Sequence, residues 1–121
     1  MQEAKPALTS IELKTIIESY SYTFSNEIQL QDGIKKVFDI NSVQYEREKN
    51  YGNNRIDFVH STIAIEIKTK QSSTHIMQQL DRYARIDTIT ELILITTRRT
   101  HQVPTALNNK PITTILINSS L

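Results

Sequence analysis

The chain has 121 residues, 38% of them hydrophobic, with a formal net charge of +1 and no cysteine, and this length predicts a single domain spanning residues 1–121. The lack of cysteine excludes a disulfide framework, a thiolate zinc site, an iron–sulfur cluster and a cysteine nucleophile. Because no apolar run approaches the roughly 20 residues that span a bilayer, and no signal-peptide core is present, we expect a cytoplasmic protein without membrane contact.

The charge is unevenly distributed along the chain. Two lysines against five acidic residues give residues 1–34 a net charge of −3, so the remainder carries +4. The basic residues of this remainder cluster in and around the central strands described below. Such a surface would suit a phosphate backbone. An ordinary solvated face of mixed charge remains the alternative.

The first third of the chain predicts two helices. One begins at Thr9 or Ser10 and belongs to an N-terminal extension of residues 1–20. The other runs over about residues 25–38, and its inward stripe at helical spacing is formed by Leu30, Ile34 and Val37. Glu27 falls on this stripe in the first turn, where the helix dipole favours its charge. The alternative to a functional role is that Glu27 only stabilises the helix through its dipole.

Residues 43–70 predict three strands, of which the last two form a hairpin. VQYEREK alternates as the first strand, and YGNN predicts the turn into the second. In the third strand a period of two buries one face, whose side chains are those of Ile63, Ile65 and Ile67. In the second strand the same period places Asp57 on the face opposite to Ile56 and Phe58.

The turn of the hairpin decides which residues face each other. We expect His60 and Ser61 to form this turn. Asp57 then lies across from Ala64 and diagonal to Glu66, on the same face of the sheet. Diagonal neighbours are roughly 7–8 Å apart between backbones, a separation that two carboxylates can close onto one ion. A register slip of one residue would place the two carboxylates on different faces.

Asp57, Glu66 and Lys68 would form a cluster of charges at the end of an apolar strand. The two carboxylates repel each other and burial penalises each of them, so the cluster needs a counter-ion. Oxygen ligands favour a hard divalent cation, Mg²⁺ or Mn²⁺, which keeps several waters and suits phosphate substrates. Lys68 would lie beside such a water.

A third helix and two further strands follow the hairpin. The helix covers about residues 73–87, and its buried stripe consists of Ile76, Leu80, Tyr83 and Ala84. Gln79 lies one turn before Tyr83 and can contact it. ELILITT is a short apolar strand, typical of parallel pairing after a helix, and PITTILINS predicts the last strand. Solvent-facing turns or loops are expected to hold the histidines, His60, His75 and His101.

The central motif resembles that of the PD-(D/E)xK nuclease superfamily: an aspartate ends one strand, here Asp57, and Glu-x-Lys follows in the next, here residues 66–68. The proline that gives the motif its name is replaced here by Ile56, the residue before Asp57. Gln79 and Tyr83 resemble the Gln-x-x-x-Tyr motif of RecB-like nucleases. Glu27 matches a glutamate on the preceding helix in Holliday junction resolvases. The resemblance covers about residues 25–97.

The resemblance implies an α/β fold with a restriction-endonuclease-like core over residues 25–117, in which helix, three strands, helix and strand form a central mixed sheet. It implies a metal-dependent DNA endonuclease that hydrolyses phosphodiester bonds, selects branched DNA such as Holliday junctions or flaps, and acts as a homodimer. The implied catalytic residues are Asp57, Glu66, Lys68, Glu27 and Gln79. The implied ligands of Mg²⁺ or Mn²⁺ are Asp57, Glu66, the Ile67 carbonyl and Glu27.

Nucleic-acid contacts are expected from residues around this motif, namely Arg55, Lys70, Arg82, Arg85 and Tyr83. For Arg82 and Arg85 a solvated polar stripe is the alternative, and for Tyr83 it is core packing. The alternative function is a catalytically silent or partner-dependent nucleic-acid-binding module of the same fold. Its protein partner would belong to a restriction, repair or mobile-element system.

Overall fold

The computed structural model describes residues 6–118 and contains three helices and six strands there. The helices are α1 (Ser10–Glu18), α2 (Glu27–Ile40) and α3 (Ser73–Ala84). The strands are β1 (Glu46–Tyr51), β2 (Asn54–His60), β3 (Ile63–Lys68), β4 (Glu91–Thr96), β5 (Ala106–Leu107) and β6 (Lys110–Leu116). The predicted order of helix, three strands, helix and strand is confirmed in α2, β1 to β3, α3 and β4. Residues 1–5 of the predicted extension lie outside the described residues.

The six strands form one mixed open sheet in the order β1, β2, β3, β4, β6, β5. β1, β2 and β3 pair antiparallel as consecutive hairpins, whereas β3, β4 and β6 pair in parallel. β5 pairs antiparallel with β6 and was not expected from the sequence. The α/β class and the central mixed sheet are therefore confirmed. None of the helices among residues 6–118 is long and apolar enough to cross a membrane.

Helices cover both faces of the sheet. The α1/α2 core, on the face covered by α1 and α2, includes Leu13, Ile34, Phe38, Phe58 and Ile65. The α3 core, on the face covered by α3, includes Ile56, Ile76, Leu80, Tyr83 and Leu94. The stripe predicted for α3 is confirmed, since its buried residues are Ile76, Leu80, Tyr83 and Ala84. The sheet therefore lies in the middle of three layers.

Burial on both faces changes the expected environment of β3. All six of its residues are buried, although the alternation predicted one buried face. The isoleucines belong to the α1/α2 core, as expected. Ala64 belongs to the α3 core, and Glu66 and Lys68 share its face by alternation. The charged face of β3 is thus covered by α3 instead of being open to solvent.

The β2–β3 hairpin differs from the prediction in its turn and register. His60 pairs with Ile63, so Ser61 and Thr62 form the turn. Ser61 adopts the left-handed conformation, with φ 55°. The register is shifted by two residues from the expected one. Because side chains alternate with a period of two, this shift leaves the two predicted carboxylates on one face.

Two of the three histidines are buried, contrary to the prediction. His60 is 5% exposed and His101 is 8% exposed, whereas His75 is exposed. The His60 ring accepts the Leu8 N–H at Nε2, 2.9 Å away, and its Nδ1 lies 2.5 Å from the Gln44 carbonyl oxygen. These partners are distant from His60 in the sequence, so the residues around His60 give no sign of its burial.

Candidate active site

The β2–β3 ladder stops where the two predicted carboxylates meet. Its last regular pair is Phe58 with Ile65, and the same register continued by one residue sets Asp57 opposite Glu66. There the Asp57 N–H donates to Glu66 Oε1 at 3.2 Å, and the Ile67 N–H donates to Asp57 Oδ2 at 2.8 Å. Each carboxylate thus accepts an N–H from the opposite strand. We call this arrangement the carboxylate exchange.

The irregularity extends to the neighbouring strands. Glu48 lies across from Asp57 in the β1–β2 register and has φ 54°, an uncommon conformation for a residue other than glycine. Within β2, the two residues that flank Asp57 lie on different faces of the sheet: Ile56 belongs to the α3 core and Phe58 to the α1/α2 core. The expectation that both lie on the face opposite Asp57 is wrong, because the pleat of β2 is interrupted at this residue.

Lys68 completes the charged group predicted from the sequence. Its Nζ lies 3.1 Å from Glu66 Oε2, and the two side chains are 9% and 2% exposed. Both side chains project from the same face of β3, two residues apart. The ammonium therefore shares a carboxylate with the exchange and is shielded from water.

Tyr83 connects α3 to this group. Its hydroxyl donates toward two oxygens, the Arg55 carbonyl at 2.9 Å and Glu66 Oε2 at 3.2 Å, and accepts from Gln79 Nε2 at 2.8 Å. The expected contact between Gln79 and Tyr83 is present. Among the described residues Gln79 Oε1 is buried without a hydrogen-bond partner. Gln79 therefore reaches Glu66 through Tyr83.

Glu27 lies near the group but contacts a different residue. It is the first residue of α2, whose N-cap is Asn26. Glu27 Oε1 accepts the Thr69 N–H at 3.1 Å and lies 3.4 Å from the Thr69 hydroxyl. The beginning of α2 is thereby tied to the residue that follows β3. Through Thr69, Glu27 is held at the end of β3, the strand that carries Glu66 and Lys68.

Burial controls the electrostatics of the two carboxyls. Burial, with the nearby Asp57 carboxylate as the next cause, raises the pKa of Glu66 to about 8, despite the adjacent Lys68. Burial also raises the pKa of Asp57, more than the Ile67 N–H and the Lys68 charge lower it. A hydrogen bond with Glu66 lowers the pKa of Asp57, whereas repulsion by the Asp57 carboxylate makes ionisation of Glu66 more costly. A divalent cation would relieve this repulsion.

The donor set fits a hard metal ion. The described residues contain no group of three or more His, Asp or Glu side chains arranged around one point. Mg²⁺, however, binds proteins through one or two carboxylates and keeps several waters. Asp57 and Glu66 supply such a pair on adjacent strands, and the carbonyl of Ile67, the residue after Glu66, would add a backbone oxygen. The residues present therefore suit Mg²⁺ or Mn²⁺.

The residues predicted to contact nucleic acid differ in how available they are. Arg55 lies 3.8 Å from Glu48, and Arg85 lies 3.1 Å from Asp81, so a carboxylate balances each charge. Lys70 and Arg82 are exposed and form no ion pair within the described chain. Tyr83 is only 1% exposed. Its predicted contact with nucleic acid does not agree with this burial, since its hydroxyl is used inside the protein.

Two residues beside the group were missed by the sequence analysis. Thr96, at the end of β4, pairs with Lys68 in the parallel register and is 1% exposed. Its Oγ1 lies 2.5 Å from His101 Nδ1, and His101 Nε2 lies 2.6 Å from the Gln71 carbonyl oxygen. The usable signal was the parallel pairing of β3 with β4, because parallel strands end at the same edge of a sheet.

The geometry of the carboxylate exchange is the basis for assigning a function to this site. Comparisons of the chain with protein-family models, with curated proteins and with solved structures find no match.

Proposed function

We propose that this chain is a metal-dependent DNA endonuclease of the PD-(D/E)xK type that hydrolyses phosphodiester bonds. The observation that carries the proposal is the carboxylate exchange of Asp57 and Glu66, with Lys68 3.1 Å from Glu66. A group of two carboxylates and one ammonium where a strand ladder stops, with Glu66 and Lys68 buried and Asp57 half-buried, costs the fold stability. Hydrolysis of a phosphodiester would explain why the chain keeps such a group, since the reaction uses both metal-binding carboxylates and a positive charge beside the phosphate.

Asp57, Glu66 and the Ile67 carbonyl would hold Mg²⁺ or Mn²⁺. The bound ion would polarise a phosphate oxygen and lower the pKa of a coordinated water. Glu27, which accepts the Thr69 N–H, would complete the site directly or through a water. The carboxylates are already fixed by the backbone N–H groups of the opposite strand, so little reorganisation is needed when substrate binds.

The other side chains orient these groups. Lys68 would position the attacking water and place positive charge beside the phosphate. Tyr83 holds Glu66 Oε2 and the Arg55 carbonyl at the same time, so it fixes the separation of β2 and β3. Gln79 donates to the Tyr83 hydroxyl and thereby orients it. Gln79 and Tyr83 are therefore proposed to act on the reaction through Glu66.

A small chain offers little surface for reading a base sequence, so a structure-selective substrate is proposed, such as a branched junction or a flap. Symmetric cutting of two strands requires two sites, which a homodimer supplies. In a partner-dependent enzyme, a protein partner from a restriction, repair or mobile-element system would supply the second site. Gel filtration of the purified chain distinguishes the dimer from a monomer.

The test of the proposal is a cleavage assay. The purified protein is incubated with supercoiled plasmid, linear single strands and a synthetic four-way junction, in Mg²⁺, Mn²⁺ or EDTA. Asp57→Asn keeps the hydrogen-bonding shape of the side chain but removes its charge, and Lys68→Ala removes the ammonium. Lys36→Ala serves as the control, because Lys36 is an exposed lysine on α2.

We expect metal-dependent cleavage that both site variants lose and the control keeps. Cleavage that persists in Lys68→Ala would contradict the assigned role of the lysine. Absence of cleavage on every substrate, with the junction still bound in a gel shift, would contradict the enzyme and support the binding module instead.

A further inference from the structure

The carboxyl ends of β3 and β4 place two loops side by side, next to the candidate active site. β3 and β4 are parallel neighbours, and Lys68 pairs with Thr96 at the last position of both strands. Residues 69–72 follow β3 and residues 97–105 follow β4. In open α/β sheets, ligands bind outside the carboxyl ends of the strands. These two loops therefore border any substrate of the site.

Four hydrogen bonds hold the second loop in place: one reaches the first loop, two reach Ser73 at the start of α3, and one reaches Thr96 at the end of β4. His101 Nε2 lies 2.6 Å from the Gln71 carbonyl oxygen, and the Arg98 N–H donates to Thr96 Oγ1 at 3.1 Å. The Ser73 hydroxyl donates to the Thr100 carbonyl oxygen at 3.2 Å and accepts the Gln102 N–H at 3.1 Å. The backbone that carries Arg98 is therefore fixed with respect to the end of β3.

The edge formed by these loops is basic. Residues 69–75 and 97–105 contain three cations, Lys70, Arg98 and Arg99, and no aspartate or glutamate. All three cations are exposed, and within the described chain none of them forms an ion pair. Glu27 reaches this edge from α2, where it accepts the Thr69 N–H.

The exposed face of α3 differs in this respect. Arg85 lies 3.1 Å from Asp81 on the same helix, so one of the two arginines predicted to contact DNA already has a carboxylate partner. An arginine in an ion pair must give up that partner, or share it, to bind a phosphate. The unpaired cations at the end of β3 and β4 carry no such cost.

We infer that Lys70, Arg98 and Arg99 form a binding strip for the phosphate backbone of duplex DNA, beside the scissile phosphate. The inference rests on the proposed function and names the surface that holds its substrate. Guanidinium groups bind phosphate oxygens through paired N–H donors, and Arg98 and Arg99 supply two adjacent groups on a fixed loop. The strip, instead of the exposed face of α3, would carry most of the phosphate contacts.

The test is duplex binding without cleavage. A labelled 30-base-pair duplex is titrated in EDTA at several salt concentrations, and fluorescence anisotropy gives the affinity of the wild-type protein. The Arg98→Ala/Arg99→Ala variant is compared with the Arg82→Ala/Arg85→Ala variant. Both variants lose two arginines from exposed positions, so they have the same net charge.

We expect the Arg98→Ala/Arg99→Ala variant to bind at least about tenfold more weakly at moderate salt. The slope of log K against log salt should fall by about 1.8, because each lost phosphate contact removes about 0.9. The Arg82→Ala/Arg85→Ala variant should keep most of the wild-type slope. An equal or larger loss in that variant would overturn the inference.

The outcomes separate this inference from the proposed function. A protein that binds duplex through the strip but cuts nothing in Mg²⁺ leaves the inference standing and overturns the enzyme. A protein that cuts DNA but has the wild-type salt slope in the Arg98→Ala/Arg99→Ala variant overturns the inference alone. Binding of single strands or RNA without duplex binding also overturns it.

Discussion

The two faces of β3 differ in how their side chains are stabilised. On the α1/α2 face, Ile63, Ile65 and Ile67 are buried among apolar neighbours and need only close packing. On the α3 face, Glu66 and Lys68 are buried too, but each depends on a specific partner. Burying an ion pair often costs more in desolvation than its attraction returns. The apolar face thus accounts for the fold, and the charged face is explained better by function.

The largest effect on stability is expected from the apolar face. Ile65→Ala should lower the free energy of unfolding by about 2–5 kcal/mol, because the side chain is fully buried and leaves a cavity. Denaturant unfolding measures the change. Ile11→Ala is the matched control, since Ile11 is 75% exposed, and it should change stability by less than about 0.5 kcal/mol. A small loss in Ile65→Ala would contradict the assignment of this face to the core.

The charged face should show the opposite pattern. The Glu66→Gln/Lys68→Met variant removes both charges while keeping an oxygen that can accept the Asp57 N–H. Above pH 8, where Glu66 is ionised, its unfolding free energy should be unchanged or higher than that of the wild type by about 1–4 kcal/mol, because a buried ion pair has been replaced. Cleavage should fall by about 10²-fold or more. A variant that is both less stable and fully active would reverse the comparison between the two faces.

The pH dependence of metal-free stability should sharpen the comparison. The pKa of Glu66 is raised from 4.5 in the unfolded chain to about 8 in the folded protein, so the folded state binds the proton more tightly. This contribution to stability is full below pH 4.5 and is lost as the pH rises toward 8. The loss is at most about 1.4 kcal/mol per pH unit.

Unfolding of the wild-type protein and of Glu66→Gln in EDTA, from pH 5 to 8, isolates this contribution. Glutamine stays neutral, so the stability of the variant should gain on that of the wild type as the pH rises. Parallel curves for the two proteins would mean that Glu66 is ionised throughout this range.

The smallest effect is expected at the contact between α3 and β3. Tyr83→Phe keeps the ring in the α3 core but removes the hydroxyl that reaches Glu66 and the Arg55 carbonyl. Stability should fall by about 0.5–1.5 kcal/mol, the usual net value of a hydrogen bond, because the ring packing is retained. Thermal unfolding measures this change. A loss of stability as large as that in Ile65→Ala would contradict the assumption that only hydrogen bonds are lost when the hydroxyl is removed.

The sequence predicted the elements whose patterns are local. The apolar run of β4 and the stripe of α3 are each determined by residues close together in the chain, and both were predicted correctly. Asp57 and Glu66 were correctly predicted to share one face although the predicted hairpin turn was wrong, because a register error of two residues preserves the alternation of side chains. The predicted face of Ile56 was wrong, because the carboxylate exchange interrupts the pleat of β2.

The site was less predictable where its contacts are distant in sequence. His101 binds the Gln71 carbonyl from 30 residues away, and Tyr83 reaches the Arg55 carbonyl from 28 residues away. No local pattern marks such partners. The interaction of Glu27 with Thr69 spans 42 residues and was predicted only as proximity to the site, through resemblance to known nucleases.

The carboxylate exchange also gives the protein two internal reporters. The amide protons of Asp57 and Ile67 are bonded to side chains, whereas amide protons in a regular ladder are bonded to backbone carbonyls. A side chain can turn away from its donor without unfolding the sheet. Hydrogen exchange at these two amides therefore follows the state of the carboxylates, while the amides of the flanking pairs follow the stability of the strands.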